Sequence, residues 1–260
     1  MKIAHHSLIL TEDNKLLVCG GFDANLKSCL ELQKGQWIQH SKLSELTYMT
    51  PPPVILSGKV YLFAGRSIFW LATGSKTWQS GPKLQPTFEF KDACAVKLSS
   101  TMALLIGGYW TQKKICKFDI STNNLTCIGE LQVGRFGHSC AVLGNNIVVA
   151  GGRKHSFHIE YFSSTEIISL DNLHNPRLAG QLNIKRGFHK LIVTTINNEQ
   201  TLLAIGGISN KGTEAEAENS DSIEIWDPLT ETWTLSETLK LSEAKHSFGA
   251  LSVPTSLICP

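Results

Sequence analysis

A short apolar run closed by a small doublet occurs five times in this chain, and no other feature constrains the fold as strongly. The runs are Leu16-Leu17-Val18-Cys19-Gly20-Gly21, Val60-Tyr61-Leu62-Phe63-Ala64-Gly65, Leu104-Leu105-Ile106-Gly107-Gly108, Ile147-Val148-Val149-Ala150-Gly151-Gly152 and Leu202-Leu203-Ala204-Ile205-Gly206-Gly207. The second glycines stand 44, 43, 44 and 55 residues apart. A period of this length means one supersecondary unit repeated, each copy burying its faces against its neighbours.

Each unit reads as four strands. Phe136 to Leu143 is a first strand, and Gly144-Asn145-Asn146 suits a hairpin turn because Gly and Asn tolerate positive φ. Ile147 to Ala150 is a second strand, apolar throughout as a strand covered on both faces should be. The third and fourth strands are clearest in the fifth unit. There Ser222 to Trp226 alternates, Asp227-Pro228-Leu229-Thr230-Glu231 turns, and Thr232 to Leu235 returns. Trp37 and Trp78 repeat the place of Trp233, which marks packing between units. Trp110 alone is out of phase, which makes it the better candidate for an exposed binding aromatic.

Small doublets after an apolar strand, Arg135 followed by His138-Ser139, Arg186 followed by His189, and Trp226-Asp227-Pro228 followed by Thr230 and Trp233 together resemble the kelch repeat. The resemblance implies an all-β fold, a β-propeller of four-stranded antiparallel blades around a central channel. Five full repeats run from about residue 4 to about 240, and a partial sixth from about 241 to 260, within one domain spanning residues 1–260. The expectation is six blades with the last incomplete in this chain; the alternative is five with an appendage.

Strand parity puts the loops after the second and fourth strands on one face. One such loop carries Arg153, Lys154, His155, His158, Tyr161 and Phe162; another carries Glu214, Glu216 and Glu218. Variable loops on a rigid scaffold are where recognition sits. With Trp110 these residues are the candidate partner-binding set. His155 and His158 have a metal-like spacing but no third ligand, so no metal, cofactor or catalytic residue is assigned. His6, His138, His189 and His246 repeat with the blade and read as structural hydrogen-bonders.

A net charge of +2 gives no reason to expect nucleic acid, and no apolar run reaches the roughly 18 residues a membrane span needs. Cys19 with Cys29, and Cys116 with Cys127, flank hairpin turns and are placed to bridge, which would mean an oxidising compartment. Cys94 and Cys140 read as equivalent positions that point the same way and do not pair. Asn124-Leu125-Thr126 is a glycosylation sequon at a turn. The start of the chain has no apolar leader, which leans towards the cytosol unless the true start lies upstream.

Resemblance to kelch proteins implies a non-catalytic scaffold that binds a protein or peptide, either alone or as the substrate-recognition part of a longer ubiquitin-ligase adaptor. The alternative is an enzyme on the same fold, an oxidase or a carbohydrate-active protein. That reading requires inward-facing groups, and it directs attention to Arg135, His138 and Arg186 and to Tyr48, Tyr61, Tyr109 and Tyr161.

Overall fold

The computed structural model describes residues 5–21, 27–45, 49–85, 88–154, 160–210 and 217–252. Blade 1 holds β1 (Ser7–Leu10), β2 (Leu16–Cys19), β3 (Ser28–Gln33) and β4 (Gln36–Lys42). Blade 2 holds β5 (Val54–Leu56), β6 (Lys59–Ala64), β7 (Ser67–Ala72) and β8 (Gln79–Ser80). Blade 3 holds β9 (Cys94–Lys97), β10 (Met102–Ile106), β11 (Lys114–Asp119) and β12 (Asn124–Glu130). Blade 4 holds β13 (Ser139–Leu143), β14 (Asn146–Ala150), β15 (Thr165–Ser169) and β16 (Asn172–Ala179). Blade 5 holds β17 (Lys190–Ile196), β18 (Glu199–Ile205), β21 (Ser222–Asp227) and β22 (Thr232–Lys240). A hairpin of β19 (Ile208–Asn210) and β20 (Ala217–Asn219) is inserted within it. That hairpin accounts for the long last interval between doublets. Every blade is an antiparallel meander in chain order, so the fold is an all-β propeller.

Four apolar cores hold the blades together, one at each junction between consecutive blades. Trp78 packs back onto blade 1, its indole N–H donating to Ser41 Oγ at 3.0 Å. Trp233 does the same onto blade 4, donating to Thr165 Oγ1 at 3.0 Å. Burying an indole while pairing its N–H is what makes tryptophan suit this position.

The doublets set the blade spacing. A Cβ on Gly107 would lie 2.6 Å from His138 Cε1 and 2.7 Å from the Arg135 carbonyl oxygen of the next blade. A Cβ on Gly151 would meet His189 Cε1 at 2.7 Å and the Arg186 carbonyl at 2.5 Å. Both glycines also take positive φ, so only glycine fits. His138 and His189 are packing pieces beside the doublets, while His6 and His246 hydrogen-bond as expected, His6 Nε2 accepting from the Gly249 N–H at 3.2 Å and His246 Nδ1 pairing with Asn219 Oδ1 at 2.6 Å. Burial, then the charge of Arg135, pushes His138 down to about 3, which keeps it neutral. His246 does not repeat their role. Phe248 does, its ring facing Gly206.

A backbone ring links the inner strands. His5, Met49, Asp92, Gly137, Phe188 and Ser247 all take φ between 50° and 61° just before an inner strand or its equivalent. Asp92 N–H donates to the Met49 carbonyl, Gly137 to Asp92, Phe188 to Gly137, Ser247 to Phe188 and His5 to Ser247, at 2.6–2.9 Å. The inner layer thus has six positions, whereas the described residues form five four-stranded blades, not six. Residues 241–252 fill the sixth inner position without forming a strand, since no described segment lies outside them to complete a ladder. Leu32 and Trp37 of blade 1, each 37% exposed, border this gap, while the matching Trp226 and Trp233 are 2% and 5% exposed. On the other side Ile192, Leu203 and Ile225 are half-buried, while Ala141, Val148 and Ile167 in the matching places of blade 4 are buried.

Three disulfides are present among the described residues. Cys19–Cys29 and Cys116–Cys127 join directly opposed residues of neighbouring strands, as expected. Cys94–Cys140, with Cα atoms 5.9 Å apart, overturns the expectation that this pair stays apart. The two residues are not equivalent. Cys94 opposes Ile106, one residue before the doublet, a place taken in blade 4 by Ser139 opposite Ala150. Cys140 lies one residue further on. Shifting a strand position by one moves its side chain to the other sheet face, so Cys94 faces blade 4 and Cys140 faces back.

Candidate functional site

The backbone ring surrounds the channel mouth on the face where the doublets end. Because Gly108, Gly152 and Gly207 turn the chain there, the loops that follow project around this mouth. An arc of aromatic rings borders it. Trp110 meets Tyr109 edge-on at 4.9 Å between centroids, Tyr109 meets Phe136 at 5.0 Å, Phe136 meets Phe188 at 6.3 Å, and Phe188 meets His5 at 5.9 Å. The Arg153 guanidinium lies over Phe136 at 4.7 Å and Phe188 at 5.6 Å. The Arg153 backbone exchanges hydrogen bonds with Phe136 at 2.9 Å, and it is also bridged to Tyr161. The Arg153 side chain also donates to the Tyr161 hydroxyl, so ring stacking and this bond together fix the guanidinium in place.

Inside the arc lies a cavity of about 40 Å³, lined among others by His5, His6, Asp92, Ser139, Lys190 and Ser247. That is room for a few water molecules. A second cavity of about 110 Å³ continues along the channel past Ser7, Thr50, Ser139 and Lys190. Burial pushes the Asp92 carboxyl up to about 7, against the pull of Lys190, Arg153 and Lys91. Burial pulls the Lys190 ammonium down, and Asp92 partly restores it. Burial first, then the charges of His246, Lys190 and His6, takes His5 down to about 4. These groups form a recessed polar floor under an aromatic rim.

The structure brings together Trp110, Arg153 and Tyr161 from the expected set. Trp110 is 61% exposed at the end of the arc. Tyr161 is buried beneath Arg153, and its ring covers Gly187. Phe162 lies over the buried Arg135, 5.6 Å from ring centroid to guanidinium carbon. Lys154 pairs with Glu160 at 2.5 Å at the base of its loop. Glu218 is on β20, in a separate groove of about 440 Å³ with Asn183 and Lys185. His155, His158, Glu214 and Glu216 lie outside the described residues, as does Tyr48.

Arg135 and Arg186 do not face the channel. Arg135 is fully buried and donates to the Gly151 and Ser164 carbonyls, Ser164 Oγ and Glu166 Oε1. Arg186 repeats this on Gly206, Ser222 and Glu224. Both are clasps that tie the start of a blade to its third strand. The residues that sequence reasoning missed are Asp92, Lys190, Phe188, Phe136 and His5, and Tyr109 was named only for an oxidase reading. Their signal is weak but present: Lys190 stands where blades 1 and 4 carry Ser7 and Ser139, one residue before the doublet in register.

No protein-family model matches this chain, and no curated protein is significantly similar to it. Among solved structures, one of YjhT aligns with a TM-score of 0.79 at 12% sequence identity, covering 96% of this chain and 88% of that one. At that identity the likeness speaks for the propeller fold alone.

Proposed function

We propose that this chain is a non-catalytic interaction module that captures a protein or peptide on the doublet face, around the channel mouth. The observation that supports it is the aromatic arc that runs from the exposed Trp110 through half-buried Tyr109 and buried Phe136 to half-buried Phe188, with Arg153 stacked upon it. Exposed tryptophan, tyrosine and arginine supply most of the energy at interaction hot spots. The module is of kelch type, on the strength of the Arg–His and Trp–Trp motifs and the doublets. A displayed random-peptide library tests the binding reading. Enriched peptides should lose at least tenfold in affinity on Trp110→Ala, with the melting temperature unchanged. Enrichment indifferent to both Trp110 and Arg153 would defeat it.

A second reading, a carbohydrate-active site in the channel, is favoured by the recessed Asp92, Lys190 and His5, because perturbed titrating groups gather where chemistry is done. A cavity of about 40 Å³ at the mouth argues against it, since a sugar ring does not fit. The oxidase form needs a cysteine joined to a tyrosine. The cysteines of the described residues are all taken up in disulfides.

A further inference from the structure

Two independent observations converge on the outer rim of blade 3. The first concerns the compartment. The disulfides Cys19–Cys29, Cys94–Cys140 and Cys116–Cys127 use six cysteines, and all but Cys127 are buried. Three structural disulfides in one domain belong to a protein that folds where thiols are oxidised. In a eukaryotic cell that is the lumen of the secretory pathway, the compartment in which Asn-x-Ser/Thr asparagines are glycosylated.

The second is the geometry of Asn124-Leu125-Thr126. Asn124 opens β12, the outermost strand of its blade, directly after a turn that ends at Asn123 with φ 51°. Asn124 and Thr126 are both exposed. Asn124 Nδ2 donates to Thr126 Oγ1 at 3.3 Å on this exposed strand edge. The turn lies at the end of β11 remote from Gly107-Gly108, because β10 runs towards the doublet and β11 runs away from it. A bulky group on Asn124 therefore points into solvent on the face opposite the channel mouth.

We propose that Asn124 carries an N-linked glycan. The donor is a lipid-diphosphate-linked oligosaccharide. A bond forms between Asn124 Nδ2 and the anomeric carbon, the bond from that carbon to the phosphate oxygen breaks, and the lipid diphosphate leaves as one amide proton is released. Transfer precedes folding, so the fold's contribution is to leave the modified side chain uncovered. The inference does not rest on the binding role of the mouth.

The test uses the full chain isolated from its own cells. Amidase release of N-glycans should convert residue 124 to aspartate in the peptide mass spectrum, and should increase gel mobility. Asn124→Gln and Thr126→Ala should abolish the mobility shift, while Thr126→Ser should keep it. Thiol counting without reductant runs on the same sample. An unmodified Asn124 in protein whose cysteines are bonded overturns the proposal. So does a sample with the six cysteines free, because such a chain has never entered the compartment where transfer occurs.

Discussion

Replacing Glu224 by glutamine should destabilise the protein far more than the chemical change suggests. Glu224 and Arg186 are both fully buried, with Arg186 Nη2 donating to Glu224 Oε1 at 2.7 Å. The other partners of the carboxylate are also donors: Ile184 N at 3.2 Å on Oε1, and Asn183 N at 2.6 Å and Asn183 Nδ2 at 2.9 Å on Oε2. A glutamine amide has one acceptor end and one donor end. Whichever way it turns, its NH₂ faces donors, and Arg186 loses its counter-charge in a dry site. Breaking a buried pair from one side costs about 3–5 kcal/mol. For a chain of this size that lowers the melting temperature by about 5–10 °C. An internal control exists. Arg177 and Glu231 form a bidentate pair between blades 4 and 5, but in an exposed position. Water can satisfy a glutamine amide there, so Glu231→Gln should cost about 0–1 kcal/mol. Urea titration without reductant, with the slope unchanged, measures both. If Glu224→Gln falls within about 1 kcal/mol of Glu231→Gln, the clasp argument is wrong.

Other outcomes follow from the same geometry. Gly151→Ala should cost more than about 2 kcal/mol, since it adds a collision with the Arg186 carbonyl to the positive-φ penalty; Gly144→Ala, at φ 58° with nothing within 4 Å, should cost only about 1 kcal/mol, and thermal melts compare them. Reducing the disulfides, or Cys140→Ser alone, should lower the urea midpoint, with about 2–4 kcal/mol attributable to the link between blades 3 and 4. The raised Asp92 pKa means the folded state holds its proton longer than the unfolded chain. Stability should therefore fall as pH rises from about 4 to about 7, and Asp92→Asn should flatten that slope; an unaltered slope in denaturation at several pH values would refute the burial of this carboxyl.

The blade structure was legible because its cause is local. An apolar strand followed by a doublet, with tryptophan on the returning strand, declares a repeated meander, and Trp78 and Trp233 pack as their recurrence implies. The cross-strand pairs Cys19–Cys29 and Cys116–Cys127 were also within reach, because a hairpin's register depends on a few neighbouring residues. Trp110 was found as a candidate because it breaks the repeat, and Arg153 because it lies in a variable loop after a second strand.

What the linear chain left open is the phase of each inner strand. The segments leading into those strands differ in length and composition, so Cys94 and Cys140 look matched when Cys94 is matched by Ser139. Side chains alternate faces at every residue, and an error of one position exchanges a neighbour's interface for the wrong one. Repetition of an apolar meander thus specified the blades by itself. Only ring closure, which fixes one left-handed residue per position around the axis, decided that Asp92, Phe188 and Lys190 meet at the channel mouth and that a third disulfide crosses between blades.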